Sequence, residues 1–188
     1  AEIASVLGFS AIKNNDKVGL VLFSDKILKY IPPKKGKSHI LRVIRELLYA
    51  KSDGKGTSIS KALDFVMKVS KRKSVVFLLS DFIDEDYWDS LKITNRKHDF
   101  IGIKISDPYE VDLPNVGMFK VEDSESGDTF WVDTSNHIEL TQMNDMNRKK
   151  NEDLFIKSKK LGIDIIPIST SENYIDPLMK FFKKRGEK

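Results

Sequence analysis

The residues best suited to chemistry in this sequence lie at the end of one apolar run. Ser74-Val-Val-Phe-Leu-Leu-Ser80 carries no charge and gives way abruptly to Asp81, after which come Asp84, Glu85 and Asp86. In open α/β sheets, groups beyond the carboxyl ends of the strands are the ones that meet ligands, and a carboxylate there can hold a cation or a polar group. A second oxygen donor, Thr57, follows the polar loop Lys51-Ser-Asp-Gly-Lys-Gly56 and opens a helical pattern. A helix that returns to start a strand begins at that strand's carboxyl end, so Thr57 and Asp81 are expected at the same end of the sheet. A hydroxyl and a carboxylate suit Mg²⁺, which takes hard oxygen ligands and keeps some of its waters. Two protein oxygens are fewer than an octahedral ion wants. The same residues also have purely structural uses: Thr57 and Asp81 as helix caps, and the three following acids as favourable charges at a helix N-terminus.

The elements that position these groups can be read from hydrophobic spacing. Ser74 to Ser80 and Val18-Gly-Leu-Val-Leu-Phe23 are continuous apolar runs, the pattern of strands buried on both faces of a parallel sheet. Ser24-Asp25-Lys26 turns the chain into Ile27–Ile31, and Pro32-Pro33 ends that segment as an edge strand of a hairpin. Ile40, Val43, Ile44, Leu47 and Leu48 recur at helical spacing, as do Ile59, Ala62, Leu63 and Val66. The long helical crossover between Phe23 and Ser74 suits parallel strands. Beyond the acids come a helix marked by Tyr87, Trp88 and Leu91 and a strand over His98–Ile105. An inserted hairpin follows at about 116–133, turning at Ser126-Gly127-Asp128. A polar helix from about Asn136 to Leu161, a strand Ile163–Ile168 and a terminal helix through Ile175, Leu178, Met179 and Phe182 complete the chain. This alternation predicts an α/β fold: a Rossmann-like, doubly wound, mostly parallel sheet flanked by helices, in a single domain over residues 1–188. Ala1 to Ile12 reads as a helix apolar nearly all round with no cap before it, so the chain is expected to be a fragment of a longer one.

Composition narrows the function classes. The 188 residues suit one α/β domain, and 40% hydrophobic with 32% charged residues is ordinary for a globular protein. The formal net charge is +4, but lysines alternate with acids, which describes a solvated surface and no nucleic-acid patch. Lys183-Lys184-Arg185 reads as a basic tail. With no cysteine there are no disulfides and no thiolate metal sites. No apolar run reaches membrane-spanning length, and a cytoplasmic location is expected. His39, His98 and His137 are too scattered for a histidine metal site. Gly54-Lys55-Gly56-Thr57 lacks the full phosphate-loop spacing, and no G-x-S-x-G elbow is present. Trp88 and Trp131 read as packing residues.

The order strand, hairpin, two helices, Gly-x-Gly-Thr, buried strand and Ser-Asp resembles a von Willebrand factor A domain. More narrowly, Asn14-Asn-Asp-Lys-Val-Gly19, Phe23-Ser-Asp25, Tyr30-Ile-Pro-Pro-Lys-Lys-Gly36 and Leu79-Ser-Asp-Phe82 are similar to the bacterial domain-of-unknown-function 58 family. His98-Asp99, Asp107-Pro108 and Phe130-Trp-Val-Asp-Thr134 fit as well, so the likeness runs from Ala1 to about Ser135. The resemblance implies a metal-ion-dependent adhesion site built from an Asp-x-Ser-x-Ser loop, a Thr and an Asp. Thr57 matches the second element and Asp81 the third; the first would lie upstream of Ala1, on a strand this chain lacks. Mg²⁺ is therefore expected in the intact protein and not in this chain alone. The missing strand would lie between Val18–Phe23 and Ser74–Ser80, so those two are expected either to pair directly or to take a strand from another copy.

Two functions follow. The resemblance implies a non-enzymatic protein-binding module in which a partner's carboxylate completes the metal shell, with a MoxR-type AAA+ ATPase as partner in complex assembly. The alternative is a Mg²⁺-dependent phosphoryl-transfer enzyme using Asp81, Asp84 and Asp86. No general base or phosphate-gripping Arg/Lys cluster stands beside those acids in sequence.

Overall fold

The computed structural model describes residues 1–50, 56–84, 86–122 and 129–187. The expected turn at Ser126-Gly127-Asp128, most of the loop before Gly56, and Glu85 lie outside them. The described chain falls into two compact units, Ala1–Lys71 with Asp84–Ser90, and Arg72–Ile83 with Leu91–Lys188.

The first unit holds α1 (Glu2–Lys13), β1 (Val18–Phe23), β2 (Ile27–Lys34), α2 (Lys37–Leu48) and α3 (Ile59–Val69). β1 and β2 form an antiparallel hairpin whose register shifts between Val18 and Leu20. β2 runs through Pro32 and Pro33 to Lys34, further than the prolines suggest. An edge strand with a bulged partner tolerates residues that cannot donate to the ladder. Neither β1 nor α1 is buried as its sequence implies. No residue of β1 is fully buried, and α1 buries only Ile3 and Gly8. At Gly8 the two helices come close: a Cβ there would lie 3.1 Å from the Ile40 side chain on α2, a tight contact. Ile31, Ile40, Ile59 and Leu63 are the most deeply buried apolar residues of this unit, and Tyr30 meets Phe65 edge to face at 5.3 Å.

The second unit is built on a three-stranded parallel sheet, β3 (Val75–Ser80), β4 (Asp99–Ser106) and β7 (Asp164–Ser169), in the order β3-β4-β7. The Ser74 run has the pattern of a strand buried on both faces, but in this sheet β4 takes the central place. Five of the eight β4 residues are buried, against Leu78 alone in β3. An apolar run at a sheet edge and one at its centre look alike in sequence; only pairing separates them. Among the described strands of this sheet, β3 pairs with β4 and β4 with β7.

α4 (Trp88–Lys97), α6 (His137–Lys160) and α7 (Ile175–Gly186) supply the longer helices from Trp88 onward, and α6 and α7 pack on β7. A four-residue helix, α5 (Pro108–Val111), follows β4 and is closed by a capping box between Asp107 and Glu110. Its Pro108 stands in the first turn, where a missing N–H costs nothing and a fixed φ favours the helix. The antiparallel hairpin β5 (Met118–Glu122) and β6 (Thr129–Asp133) forms as expected. Trp131 projects from it two-thirds exposed, so it is not the packing residue it was expected to be. No described helix is long and apolar enough to cross a membrane.

Candidate functional site

The carboxyl end of β3 presents Asp81. Its side chain is exposed, and Oδ1 accepts from the Ile83 backbone N–H at 3.0 Å and from Ser80 Oγ at 3.3 Å. This is a local Asx turn, not the helix cap that the sequence also allowed. Phe82, next along, has φ 60°, in the left-handed region that a phenylalanine seldom adopts. Its N–H is bonded to Ser80 Oγ at 3.1 Å, and its ring is buried. That ring sits over Gly102 of β4, where an added Cβ would lie 2.9 Å from it and 3.2 Å from Ile165. Gly102 is thus the residue that makes room for the Phe82 ring and so for the turn that fixes Asp81. Strain of this kind persists only where surrounding packing holds it.

Beneath the turn lies a residue that reading for acids overlooked. Lys104, opposite Ser80 in the β4 register, is buried and its ammonium donates to the Asp81 carbonyl at 3.1 Å. Burial pulls its pKa down, while the carboxylates of Glu110 and then Asp81 pull the other way. The available signal was a lysine inside the otherwise apolar run Ile101 to Ile105. Asp107 and Thr170 lie at the same end of the sheet: Thr170 Oγ1 donates to Asp107 Oδ2 at 2.9 Å, and Thr170 N–H to the Ser106 carbonyl.

Thr57 belongs to the first unit and is half-buried. The N-cap of α3 is Ser58, whose hydroxyl accepts from Lys61 N–H at 3.5 Å, so Thr57 is not the cap. Among the described residues its hydroxyl makes no hydrogen bond. Around it the chain is tied tightly. Ser58 N–H donates to the Ser24 carbonyl at 2.9 Å, and the Lys61 ammonium donates to the Asp25 carbonyl at 2.9 Å.

Asp84 also belongs to this first unit, and its Oδ2 accepts from Ile59 N–H at 2.7 Å. It caps α3, a helix that precedes it by some twenty-five positions, which no local sequence rule foresees. Its charge and the burial of Tyr87 together push the Tyr87 hydroxyl well above the usual phenol range, burial being the larger cause. Asp86 is exposed. Asp81 and Asp84 thus sit in different units, and Asp84 is committed to a helix end.

The described residues do not by themselves suit a divalent metal. They contain no group of three His, Cys, Asp or Glu side chains able to hold one, and half of the Asp81 carboxylate is engaged in its own turn. The histidines supply no ligand group: His39 bonds the Val18 carbonyl at 2.8 Å, His137 is exposed, and His98 is buried with neither ring nitrogen hydrogen-bonded among the described residues.

With this geometry in hand, comparison places the chain. The family model described as "Protein of unknown function DUF58" matches residues 1–152. The chain belongs to the DUF58 family. It is 21% identical over 188 residues to the uncharacterized protein Mb1516 of Mycobacterium bovis and, equally, to the uncharacterized protein Rv1480 of Mycobacterium tuberculosis, covering 97% of this chain and 58% of each relative. It is 24% identical over 130 residues to the uncharacterized protein MAV169 of Mycobacterium avium, covering 68% of this chain and 75% of that one. The chain therefore spans less than two thirds of the first two relatives. No solved structure matches. Within the family, Asp81 and Lys104 both fall inside the matched region.

Proposed function

We propose that this DUF58 chain is a non-enzymatic protein-binding module of von Willebrand A type, and that it docks its partner at the carboxyl end of the β3-β4-β7 sheet through Asp81. The observation that carries the reading is the Asp81 turn itself. An exposed carboxylate is held in one orientation by Ser80 and Ile83, over a strained Phe82 backbone and a glycine cleared for its ring. A group fixed this way loses little freedom on binding, which is what makes a contact effective. Supporting it, parallel sheets meet their ligands at this end, and the Leu79-Ser-Asp-Phe82 stretch is one of those that resemble the family.

The proposed partner is a MoxR-type AAA+ ATPase, engaged in complex assembly in the cytoplasm. Mg²⁺ enters the proposal only for the intact protein, with Thr57 and Asp81 among its ligands. The phosphoryl-transfer alternative draws no comparable support, because Asp84 is spent on the N-terminus of α3. The test is biolayer interferometry of the intact protein on an immobilised MoxR-type ATPase, with and without Asp81→Ala. The proposal expects the substitution to weaken binding at least about tenfold, the scale at which an interface hot spot is recognised. Equal binding by both proteins would remove Asp81 from the interface.

A further inference from the structure

We propose that one corner of the first unit, carrying Lys13, Lys17, Lys34, Lys35 and Lys37, is a docking surface for anionic phospholipid bilayers. In sequence these lysines fall in two stretches separated by most of the β1–β2 hairpin, and the fold brings the stretches together. Val18 stands opposite Lys34 in the hairpin register, and His39 Nε2 bonds the Val18 carbonyl at 2.8 Å. A tight turn, with Asp16 N–H donating to the Ala11 carbonyl at 2.9 Å, returns the chain from the end of α1 to Lys17. Gly36, at φ 102°, makes the turn that leads from Lys34 and Lys35 into Lys37. The end of α1, the start of β1, the end of β2 and the start of α2 therefore meet around Val18.

All five lysines are exposed, and among the described residues none of their ammonium groups makes a hydrogen bond or an ion pair. Asp16 is the acid that shares their two stretches, and α2 has no acid in its first turn. Elsewhere in the unit lysines are engaged: Lys29 pairs with Glu46 at 3.1 Å, and Lys61 bonds the Asp25 carbonyl at 2.9 Å. Unpaired cations gathered at one corner give a local positive field that an anionic surface relieves. Two features favour a bilayer over other polyanions. Lysine ammoniums are compact charges on flexible stems, suited to a diffuse layer of headgroups, and about four to eight of them together bind anionic lipid. Beside them lie exposed apolar side chains. Phe9 stands one helical turn before Lys13 and Leu41 one turn after Lys37, each nearly half exposed. A phosphate backbone makes no use of such groups, whereas the boundary between headgroups and acyl chains does.

The experiment is sedimentation of this chain with vesicles of phosphatidylcholine alone and of phosphatidylcholine with about a third phosphatidylglycerol, an anionic lipid. Binding is expected to the anionic vesicles and not to the neutral ones, and should fade as salt is raised. A lysine at an anionic surface is worth about fivefold in affinity, so Lys17→Gln, Lys35→Gln and Lys37→Gln combined should weaken binding about a hundredfold. The same charge change on exposed lysines of α6, Lys149→Gln with Lys150→Gln and Lys159→Gln, should weaken it by less than about fivefold. Circular dichroism checks that both triple variants fold. No binding to anionic vesicles, equal binding to neutral ones, or equal losses from the two triple variants overturns the proposal. So does tighter binding to a short DNA duplex than to anionic vesicles at the same salt. A corner variant that keeps vesicle binding but loses the MoxR-type ATPase also overturns it, and gives the surface to the protein partner. The proposal does not rest on Asp81, so the vesicle result and the Asp81-dependent partner result stand or fall separately.

Discussion

The two ends of the β3-β4-β7 sheet solve opposite problems with the same residue types. At the amino end, Arg185 of α7 donates to Asp99 at 2.6 Å and stands 3.6 Å from Asp164, joining the first residues of β4 and β7. Its guanidinium also lies 5.4 Å from the Phe181 ring centre. A shallow hollow there is lined by Asp164, Ile165, Phe181, Lys184 and Arg185, but its acid and one of its cations are paired with each other. At the carboxyl end, the cation is buried under a carbonyl and the carboxylate of Asp81 is left facing outward. The amino end closes its charges on themselves; the carboxyl end exposes one. The lesson is that charged residues mark a site only where their mutual pairing is incomplete. Arg185, read from sequence as part of a loose basic tail, is instead a staple of the fold.

Breaking the carboxyl end should have the largest effect. Gly102→Ala drives a methyl into the Phe82 ring and Ile165, and should cost about 1–3 kcal/mol, the usual range for overpacking. Urea unfolding measures it, and a cost under the low end of that range would mean the ring moves aside freely. Arg185→Met breaks the amino end. Two half-exposed ion pairs and a cation–π contact together should be worth about 1 kcal/mol, with a loss that shrinks in high salt. A salt-independent loss would point to packing rather than charge.

His98 sharpens the contrast through pH. Burial first, and the Lys97 charge second, hold its pKa below the ordinary imidazole value. The unfolded chain therefore takes up a proton more readily than the folded one. The stability it contributes is complete above about pH 6.5, the unfolded value, and is lost as pH falls through and below it. Melting temperature should drop more steeply between pH 7.5 and pH 5 in the natural chain than in His98→Leu; parallel slopes would show that His98 does not titrate. The smallest effect belongs to Asp81→Asn, which preserves the acceptor for Ile83 N–H and should change stability by about 0.5 kcal/mol or less, as surface substitutions do. A larger loss would make the carboxylate a structural group and weaken its claim as a docking point.

Much of this was legible in the sequence because it is local. Periodicity located the helices and the hairpins, and the Ser74–Ser80 run located β3 and the Asp81 that ends it. What escaped was set by pairing over distance. The central position of β4, the edge position of β3, and the capping of α3 by Asp84 all depend on which strand or loop comes alongside. Lys104 escaped for a related reason. A lysine among isoleucines looks like a strand's solvent face until both neighbouring strands are known. Thr57 suits a ligand or a cap by residue type, and the cap is Ser58 one residue on, a difference that propensity alone does not resolve.

The central claim is that the carboxyl end of the sheet, and not the amino end, is the working surface. Hydrogen exchange of the intact protein with and without a MoxR-type ATPase tests it most directly. The account predicts that added partner slows exchange in the peptides covering Ser80–Asp84 and Lys104–Asp107, and leaves those covering His98–Phe100 and Ile163–Ile165 unchanged. Protection confined to the amino-end peptides would contradict it.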